Sequence, residues 1–68
     1  MRIKDLREDH NLTQADVAKI LRIKQNTYSQ YENGQRQIPL HCLIALAKFY
    51  KTSTDYILGL TDKMNTDA

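Results

Sequence analysis

The stretch LTQADVAKILRIKQNTYSQYENG, residues 12–34, contains two short helical patterns that only a few residues separate. In the first, Thr13 is a good helix-capping residue, and Asp16 follows three positions later at the spacing of a variant capping box. In the second, Tyr28 and Tyr31 are three residues apart, and a glycine follows where it can end the helix. The connection between them, RIK, predicts a tight turn between two steeply crossed helices.

Helical spacing continues on both sides of this stretch. A first helix is predicted over residues 2–9, and Asn11 can adopt the left-handed conformation that ends a helix. A fifth, short helix is predicted in TSTDYILG, residues 52–59, with either Thr52 or Ser53 as its cap. No alternation of polar and apolar residues runs long enough for a β-strand. The chain is therefore predicted to be all-α, with five short helices in one compact domain.

A fourth helix is predicted to begin at Pro39, because proline is tolerated in the first turn of a helix. Its buried stripe is predicted to consist of apolar residues at helical spacing, with two more beside them: Leu40, Leu43, Ile44 and Ala47, then Leu46 and Phe49. The domain is expected to cover residues 1–60, and the polar residues 61–68 are expected to form a frayed tail.

Composition narrows the classes of function. With 41% hydrophobic and 26% charged residues, the chain has the composition of an ordinary globular protein. No apolar run approaches the roughly 20 residues that cross a bilayer, and the charged N-terminus is unlike a signal peptide. The single cysteine cannot form an internal disulfide, so the reducing cytoplasm is the expected compartment. Between Val17 and Arg36, four basic residues against one acid favour a polyanionic partner.

The third predicted helix has an unusual polar face. Solvated helix faces are usually built from Glu, Lys and Arg. This face, the amide face, consists instead of amides and one hydroxyl: Gln25, Asn26, Ser29, Gln30 and Asn33. Asn and Gln carry a donor and an acceptor on one rigid end, so they can bond bidentately to adenine in the major groove of DNA. A helix fits that groove with its N-terminal turn at the base edges. The residues predicted to read bases are Gln25, Asn26, Thr27 and Gln30, and the tyrosines of the same helix are expected in the core.

Residues around this helix are predicted to position it on the DNA backbone. Basic side chains before and after a recognition helix can reach phosphates on either side of the groove, which fixes the register of the protein without reading sequence. Lys24 and Arg36 are assigned to phosphate contacts on this ground, and the uncharged polar residues Ser29, Asn33 and Gln35 are assigned to phosphates with them.

The run from residue 12 to residue 39 resembles the helix-turn-helix of the Cro/C1-type (XRE-like) repressors. The resemblance rests on L-T-Q at the second helix, T-x-S-x-Y-E-N-G across the third and S-x-D-Y-x-L-G near the end, and it covers most of the chain. It implies a lambda-repressor-like domain that binds double-stranded DNA sequence-specifically and regulates transcription, as a repressor that occludes a promoter. It also implies that Gln14 contacts a phosphate and that Glu32 forms a structural ion pair with Arg7.

Two residues depart from the family pattern in the turn. Arg22 stands where the family usually has a glycine, and a side chain there costs about 1 kcal/mol if the backbone has a positive φ. Lys24 stands where the third helix commonly begins with a Ser or Thr cap. Both departures affect the geometry of the turn. They leave open which of Lys24 and Gln25 reaches a base.

The expected partner is DNA with an inverted-repeat operator, bound by a homodimer. One recognition helix covers only a few base pairs, and two copies on a two-fold axis make the site long enough to be distinguished. The residues predicted to form the dimer contact lie in the fifth helix and after it: Tyr56, Ile57, Leu60 and Met64. No cofactor, metal, small-molecule ligand or membrane partner is expected.

Other classes of function are less favoured. A protein-interaction module of the same fold, for example with antitoxin-like partner binding and little DNA binding, should lose the phosphate contacts, and this chain retains Gln14, Lys24 and Arg36. An enzyme lacks support, since there is no nucleophile–base pair or phosphate loop. A metal site is disfavoured because adjacent helical residues, here His41 and Cys42, point about 100° apart, and His10 lies on another helix. Phage repressor, restriction-modification controller and antitoxin remain open as roles.

Overall fold

The computed structural model describes residues 1–64, so residues 65–68 of the predicted tail lie outside the described residues. The helices are α1 (Ile3–Asp9), α2 (Gln14–Leu21), α3 (Gln25–Asn33), α4 (Leu40–Tyr50) and α5 (Thr54–Leu58). The described residues include no strand. The prediction of an all-α chain with five helices is confirmed. None of the described helices has the length and apolar character that a membrane crossing requires.

Local sequence signals set most of the helix ends. The backbone N–H of Asp16 donates to Thr13 Oγ1 at 3.1 Å and that of Thr13 donates to Asp16 Oδ2 at 2.9 Å, which is the predicted capping box of α2. Asn11, just after α1, has the predicted left-handed backbone with a φ of 57°. Of the two candidate caps for α5, Ser53 caps the helix by accepting from the N–H of Tyr56 at 3.0 Å.

The turn between α2 and α3 uses a residue with a left-handed backbone. Arg22 ends α2 with a φ of 59° and a ψ of 42°, the conformation for which the family pattern supplies glycine. Ile23 follows and packs, half-buried, against the core. The backbone of Lys24 is then extended, and α3 begins at the next residue without a side-chain cap. The turn therefore forms with arginine in the glycine position, at the cost of backbone strain.

The core lies between the faces of all the helices. Tyr28 and Tyr31 bring the buried face of α3 into it, as predicted, and the Tyr28 side chain is fully buried. The other large, fully buried side chains come from each of the remaining helices: Ile3, Leu6, Val17, Cys42, Leu46 and Ile57. Burying an aliphatic side chain of this size stabilises a fold by about 1.5–3 kcal/mol, so α3 is held by a shared core rather than by its own helix propensity.

The predicted buried stripe of α4 is wrong in part. Leu40 is 68% exposed, and Ile44 and Phe49 are also exposed. The residues that α4 buries are Cys42, Leu43, Leu46, Ala47 and Tyr50. Almost every residue of this helix is apolar, so two stripes at helical spacing compete in the sequence. The face of α4 that carries Leu43, Leu46 and Tyr50 packs into the core. Leu40 and Ile44, on another face of the helix, are exposed.

The prediction that Ile57 contacts a second copy is also wrong. Its side chain is fully buried in the core, so it cannot reach another protein. The backbone N–H of Arg2 donates to its carbonyl at 2.8 Å, which joins the start of the chain to α5. The guanidinium of Arg2 lies 4.2 Å from the centre of the Tyr56 ring and donates to Asp62 Oδ1 at 2.7 Å. These contacts hold the residues that follow α5 against the N-terminus.

Candidate nucleic-acid interface

The amide face of α3 is accessible. Gln25 and Asn26 are exposed in the first turn, while Thr27 and Gln30 are half-buried. Tyr28, on the opposite side of the helix, is buried, and it anchors the helix with this polar face outward. The structure thus brings the four residues predicted to read bases onto the first two turns of one helix.

Residues assigned to phosphates flank this face at both ends of α3. Lys24 is the exposed N-cap residue, and Asn33 is exposed at the last position of the helix. Gly34 ends the helix with a φ of 77°, a left-handed backbone that glycine adopts without strain. The N–H groups of Gln35 and Arg36 then donate to the Gln30 carbonyl at 3.0 and 3.3 Å. These bonds keep the two exposed residues close to the helix end.

A buried ion pair connects α3 to α1. Arg7 Nε on α1 donates to Glu32 Oε2 at 2.7 Å, and its Nη2 donates to Glu32 Oε1 at 3.3 Å. The side chain of Glu32 is only 2% exposed and that of Arg7 is 13% exposed. Arg7 Nη1 also donates to the Leu12 carbonyl at 2.9 Å. One guanidinium therefore connects α1, the loop before α2 and the C-terminal turn of α3.

Two further donors satisfy the same carboxylate. The hydroxyl of Tyr28 donates to Glu32 Oε2 at 2.5 Å. The amide Nε2 of Gln14, the first residue of α2, donates to Glu32 Oε1 at 3.0 Å. Gln14 was assigned to a phosphate from the sequence, and its bond to Glu32 was missed. The two residues are 18 positions apart, and no local pattern indicates such a contact.

The electrostatics of this cluster keep both charges in place. Burial raises the pKa of Glu32, but the hydrogen bonds from Arg7, Tyr28 and Gln14 lower it more, so this pKa lies below its ordinary value. The hydrogen bond to Glu32 raises the pKa of Arg7. Burial, followed by the bond to Glu32, raises the pKa of Tyr28. At neutral pH the cluster is therefore one anion and one cation with a neutral tyrosine.

A helix-turn-helix family model matches residues 3–57, from α1 into α5. This match includes the turn, the amide face and the Arg7–Glu32 pair described above. The chain belongs to the helix-turn-helix family. The resemblance to XRE-type regulators drawn from the sequence is confirmed.

The chain is also similar to individual proteins that are named as a transcriptional regulator, an antitoxin and a transcriptional repressor. The chain is 43% identical over 61 residues to the uncharacterized HTH-type transcriptional regulator YobD of Bacillus subtilis, covering 90% of this chain and 54% of that protein. It is 37% identical over 62 residues to the antitoxin PezA of Streptococcus pneumoniae, covering 91% and 39%. It is 41% identical over 49 residues to the cryptic phage CTXphi transcriptional repressor RstR of Vibrio cholerae, covering 72% and 44%. The chain thus spans about half, or less, of the length of these relatives. No solved structure matches it significantly.

Ser29, three residues after Asn26, lies half-buried on the amide face of α3. The residues predicted to form the dimer contact lie away from this face. Beyond α5, Leu60 is 74% exposed and Met64 is 40% exposed, and Leu58, which the sequence reasoning did not single out, is 43% exposed. The half-buried Tyr56 lies under the Arg2 guanidinium. Leu58, Leu60 and Met64 are thus exposed apolar side chains at or after the end of α5.

Of the described residues, the two histidines and the cysteine do not form a metal site: His41 and Cys42 are adjacent on α4, and His10 packs elsewhere, against Tyr50. His10 packs against Tyr50 with ring centres 4.8 Å apart and the rings tilted by 53°, and His41 is exposed on α4. Cys42 is buried, and burial raises the pKa of its thiol. Among residues 1–64, no three His, Cys, Asp or Glu side chains come together as a metal site.

Proposed function

We propose that this chain is the DNA-binding domain of a transcriptional repressor, with α3 lying in the major groove of double-stranded DNA. The observation that carries the proposal is the exposed amide face of α3, held between Lys24 and Arg36 on a helix-turn-helix. Asn26 and Ser29 are weaker helix formers than the Glu, Lys or Arg that usually build a solvated face. The amide face is a suitable base-reading face, because each amide offers a paired donor and acceptor.

In the proposed complex the contacts divide into two groups. Gln25, Asn26 and Gln30 read base edges, with the methyl of Thr27 available to a thymine. The backbone contacts come from the ends of α2 and α3 and from the loop after α3, through Gln14, Lys24, Ser29, Asn33, Gln35 and Arg36. Contacts of the second kind supply affinity and orientation but no sequence information. Bound over a promoter, such a domain represses by occlusion and performs no chemistry.

We also propose that two copies bind an inverted repeat. The exposed side chains of Leu58, Leu60 and Met64, with the edge of Tyr56, are the surface offered for the contact between copies. Ile57 takes no part in this surface, since its side chain is fully buried. A small apolar surface of this kind supports a weak dimer that forms fully only on DNA. Half-sites should then lie about one helical turn apart, roughly 10–10.5 base pairs.

The proposal is tested by selecting binding sites from a random duplex library with the purified protein. We expect enrichment of an inverted repeat with half-sites separated by about one helical turn. A library that stays random, from a protein shown to be folded, would contradict the DNA-binding proposal. It would favour instead a protein-binding role of the kind that the name of the antitoxin PezA indicates for that relative.

A further inference from the structure

The side chain of Gln14 connects the buried ion pair with the proposed DNA surface. Its Nε2 donates to Glu32 Oε1 at 3.0 Å, and the residue is only half-buried. A carboxamide nitrogen carries two hydrogens, so this bond leaves a second N–H that can donate to another acceptor. The bond also restricts the torsions of a side chain that would otherwise sample many rotamers.

We propose that Glu32 is a positioning residue for DNA binding, which holds the Gln14 amide so that its second N–H meets a DNA phosphate. This inference rests on the proposed function and on the assignment of Gln14 to the DNA backbone. It gives the carboxylate a role beyond the structural ion pair with Arg7. The base-reading residues are not involved.

Glu32 is suited to this role because its own position is strongly restrained. Arg7 bonds to both of its oxygens, Tyr28 bonds to Oε2, and the side chain is only 2% exposed. A glutamine fixed on such an acceptor loses little rotamer freedom when it meets a phosphate. The freedom otherwise lost per immobilised side chain corresponds to roughly a three- to tenfold change in affinity.

Because Glu32 is negatively charged, a positioning role and a purely electrostatic effect predict opposite changes in DNA affinity when it is replaced. A carboxylate close to DNA repels phosphates, so replacing it by a neutral side chain should strengthen binding if charge alone acts. If Glu32 positions Gln14, the same replacement should weaken DNA binding instead. Each carboxylate oxygen of Glu32 accepts two hydrogen bonds, and in Glu32→Gln one of the oxygens becomes an NH2 group, so two of the present donors lose their acceptor.

The matched control is Glu8→Gln. Glu8 is an exposed acid on α1, beside Arg7 in the chain, and its replacement changes the net charge by the same amount. Affinities for a selected duplex are measured by fluorescence anisotropy, at a temperature where circular dichroism shows each variant to be folded. We expect Glu8→Gln to bind as tightly as the parent or more tightly, and Glu32→Gln to bind roughly three- to tenfold more weakly per half-site. Binding of Glu32→Gln that equals or exceeds that of Glu8→Gln would overturn the inference.

A double-mutant cycle asks whether the effect passes through Gln14. Gln14→Ala should weaken binding in the parent protein and have much less effect in the Glu32→Gln background. An undiminished effect of Gln14→Ala in both backgrounds would show that the amide acts without Glu32. Loss of DNA binding by the parent itself is a different result, since that contradicts the proposed function.

The contact can also be measured without a variant, in case Glu32→Gln does not fold. The side-chain amide resonances of Gln14 are followed by NMR in the parent protein while the pH is lowered through the titration of Glu32. We expect them to shift with that titration, while the amide of the exposed Gln35 stays nearly constant. Resonances of Gln14 that do not respond to the ionisation of Glu32 would overturn the inference.

Discussion

Arg7 of α1 and Glu32 of α3 form a two-point ion pair, with Nε 2.7 Å from Oε2 and Nη2 3.3 Å from Oε1. Glu32 lies on the side of α3 that carries the buried Tyr28, and its side chain is almost fully buried. The pair joins the first helix of the domain to the last turn of the proposed recognition helix. The orientation of α3 therefore depends on a contact between elements that are 25 residues apart in the chain.

Breaking this pair should destabilise the domain strongly. Removal of one partner of a buried ion pair leaves an uncompensated charge and costs about 3–5 kcal/mol. Urea unfolding of Arg7→Met and Glu32→Gln should each show a loss of this size, whereas Glu8→Gln, at an exposed position, should change stability by less than about 0.5 kcal/mol. Losses below about 1 kcal/mol in both core variants would mean that the pair contributes as an exposed pair does.

Stability should decrease in acid partly through Glu32. Its pKa is lowered in the folded protein, from an ordinary value of 4.5, so the ionised form favours folding. This contribution is fully present above the unfolded-state pKa and is lost as the pH falls through the lower, folded-state pKa. Unfolding free energies measured from pH 6 down to about pH 3 should therefore fall less steeply in Glu32→Gln than in the parent. Equal slopes would contradict this assignment.

The left-handed backbone of Arg22 offers a stabilising substitution. Arg22→Gly should raise the unfolding free energy by up to about 1 kcal/mol, because glycine has no Cβ that opposes a φ of 59°. Lys19→Gly is the control, since Lys19 is exposed inside α2, and glycine there should cost about 1 kcal/mol. Thermal unfolding by circular dichroism compares the two, and a destabilised Arg22→Gly would show that the arginine makes a compensating contact.

Local signals predicted the parts of the fold that depend on neighbouring residues. The Thr13–Asp16 capping box and the left-handed Asn11 are contacts or conformations within one turn of chain. The predicted buried face of α4 is wrong in part, at Leu40, Ile44 and Phe49, because that helix is apolar on nearly every side and its periodicity does not select a face. The bond between Gln14 and Glu32 joins two helices and has no signature in spacing.

Among the site residues, those with a local sequence pattern could be predicted, whereas a residue whose burial depends on the packing of other helices could not. The amide face of α3 was visible in the sequence because a polar, uncharged helix face is uncommon on a solvated surface. The prediction of a dimer contact at Ile57 rests on the fifth helix and the residues after it having more apolar side chains than a short helix needs for a core, yet the Ile57 side chain is buried in the core. Burial of a single residue in so short a helix depends on where the other helices lie.

Leu60 provides a test of the proposed contact between copies. Its side chain is 74% exposed, so Leu60→Glu should leave the stability of the monomer nearly unchanged. Loss of the apolar contact should weaken binding to the full inverted repeat by about tenfold or more, because burying a leucine is worth about 1.5–3 kcal/mol. Binding to an isolated half-site should not change. Sedimentation with the selected duplex gives the stoichiometry, and an unaltered two-to-one complex at full affinity would exclude Leu60 from the contact.

The central claim, that the amide face of α3 reads sequence, is tested most directly by measuring Asn26→Ala on two duplexes at one salt concentration. One duplex carries the selected operator and the other a scrambled sequence. We expect a loss of about 1–3 kcal/mol on the operator and almost none on the scrambled duplex. Arg36→Ala, the control for a phosphate contact, should weaken both equally and reduce the salt dependence by about one unit of slope per half-site. An Asn26→Ala variant that binds both duplexes with the same proportional loss would contradict the assignment of α3 as the base-reading helix.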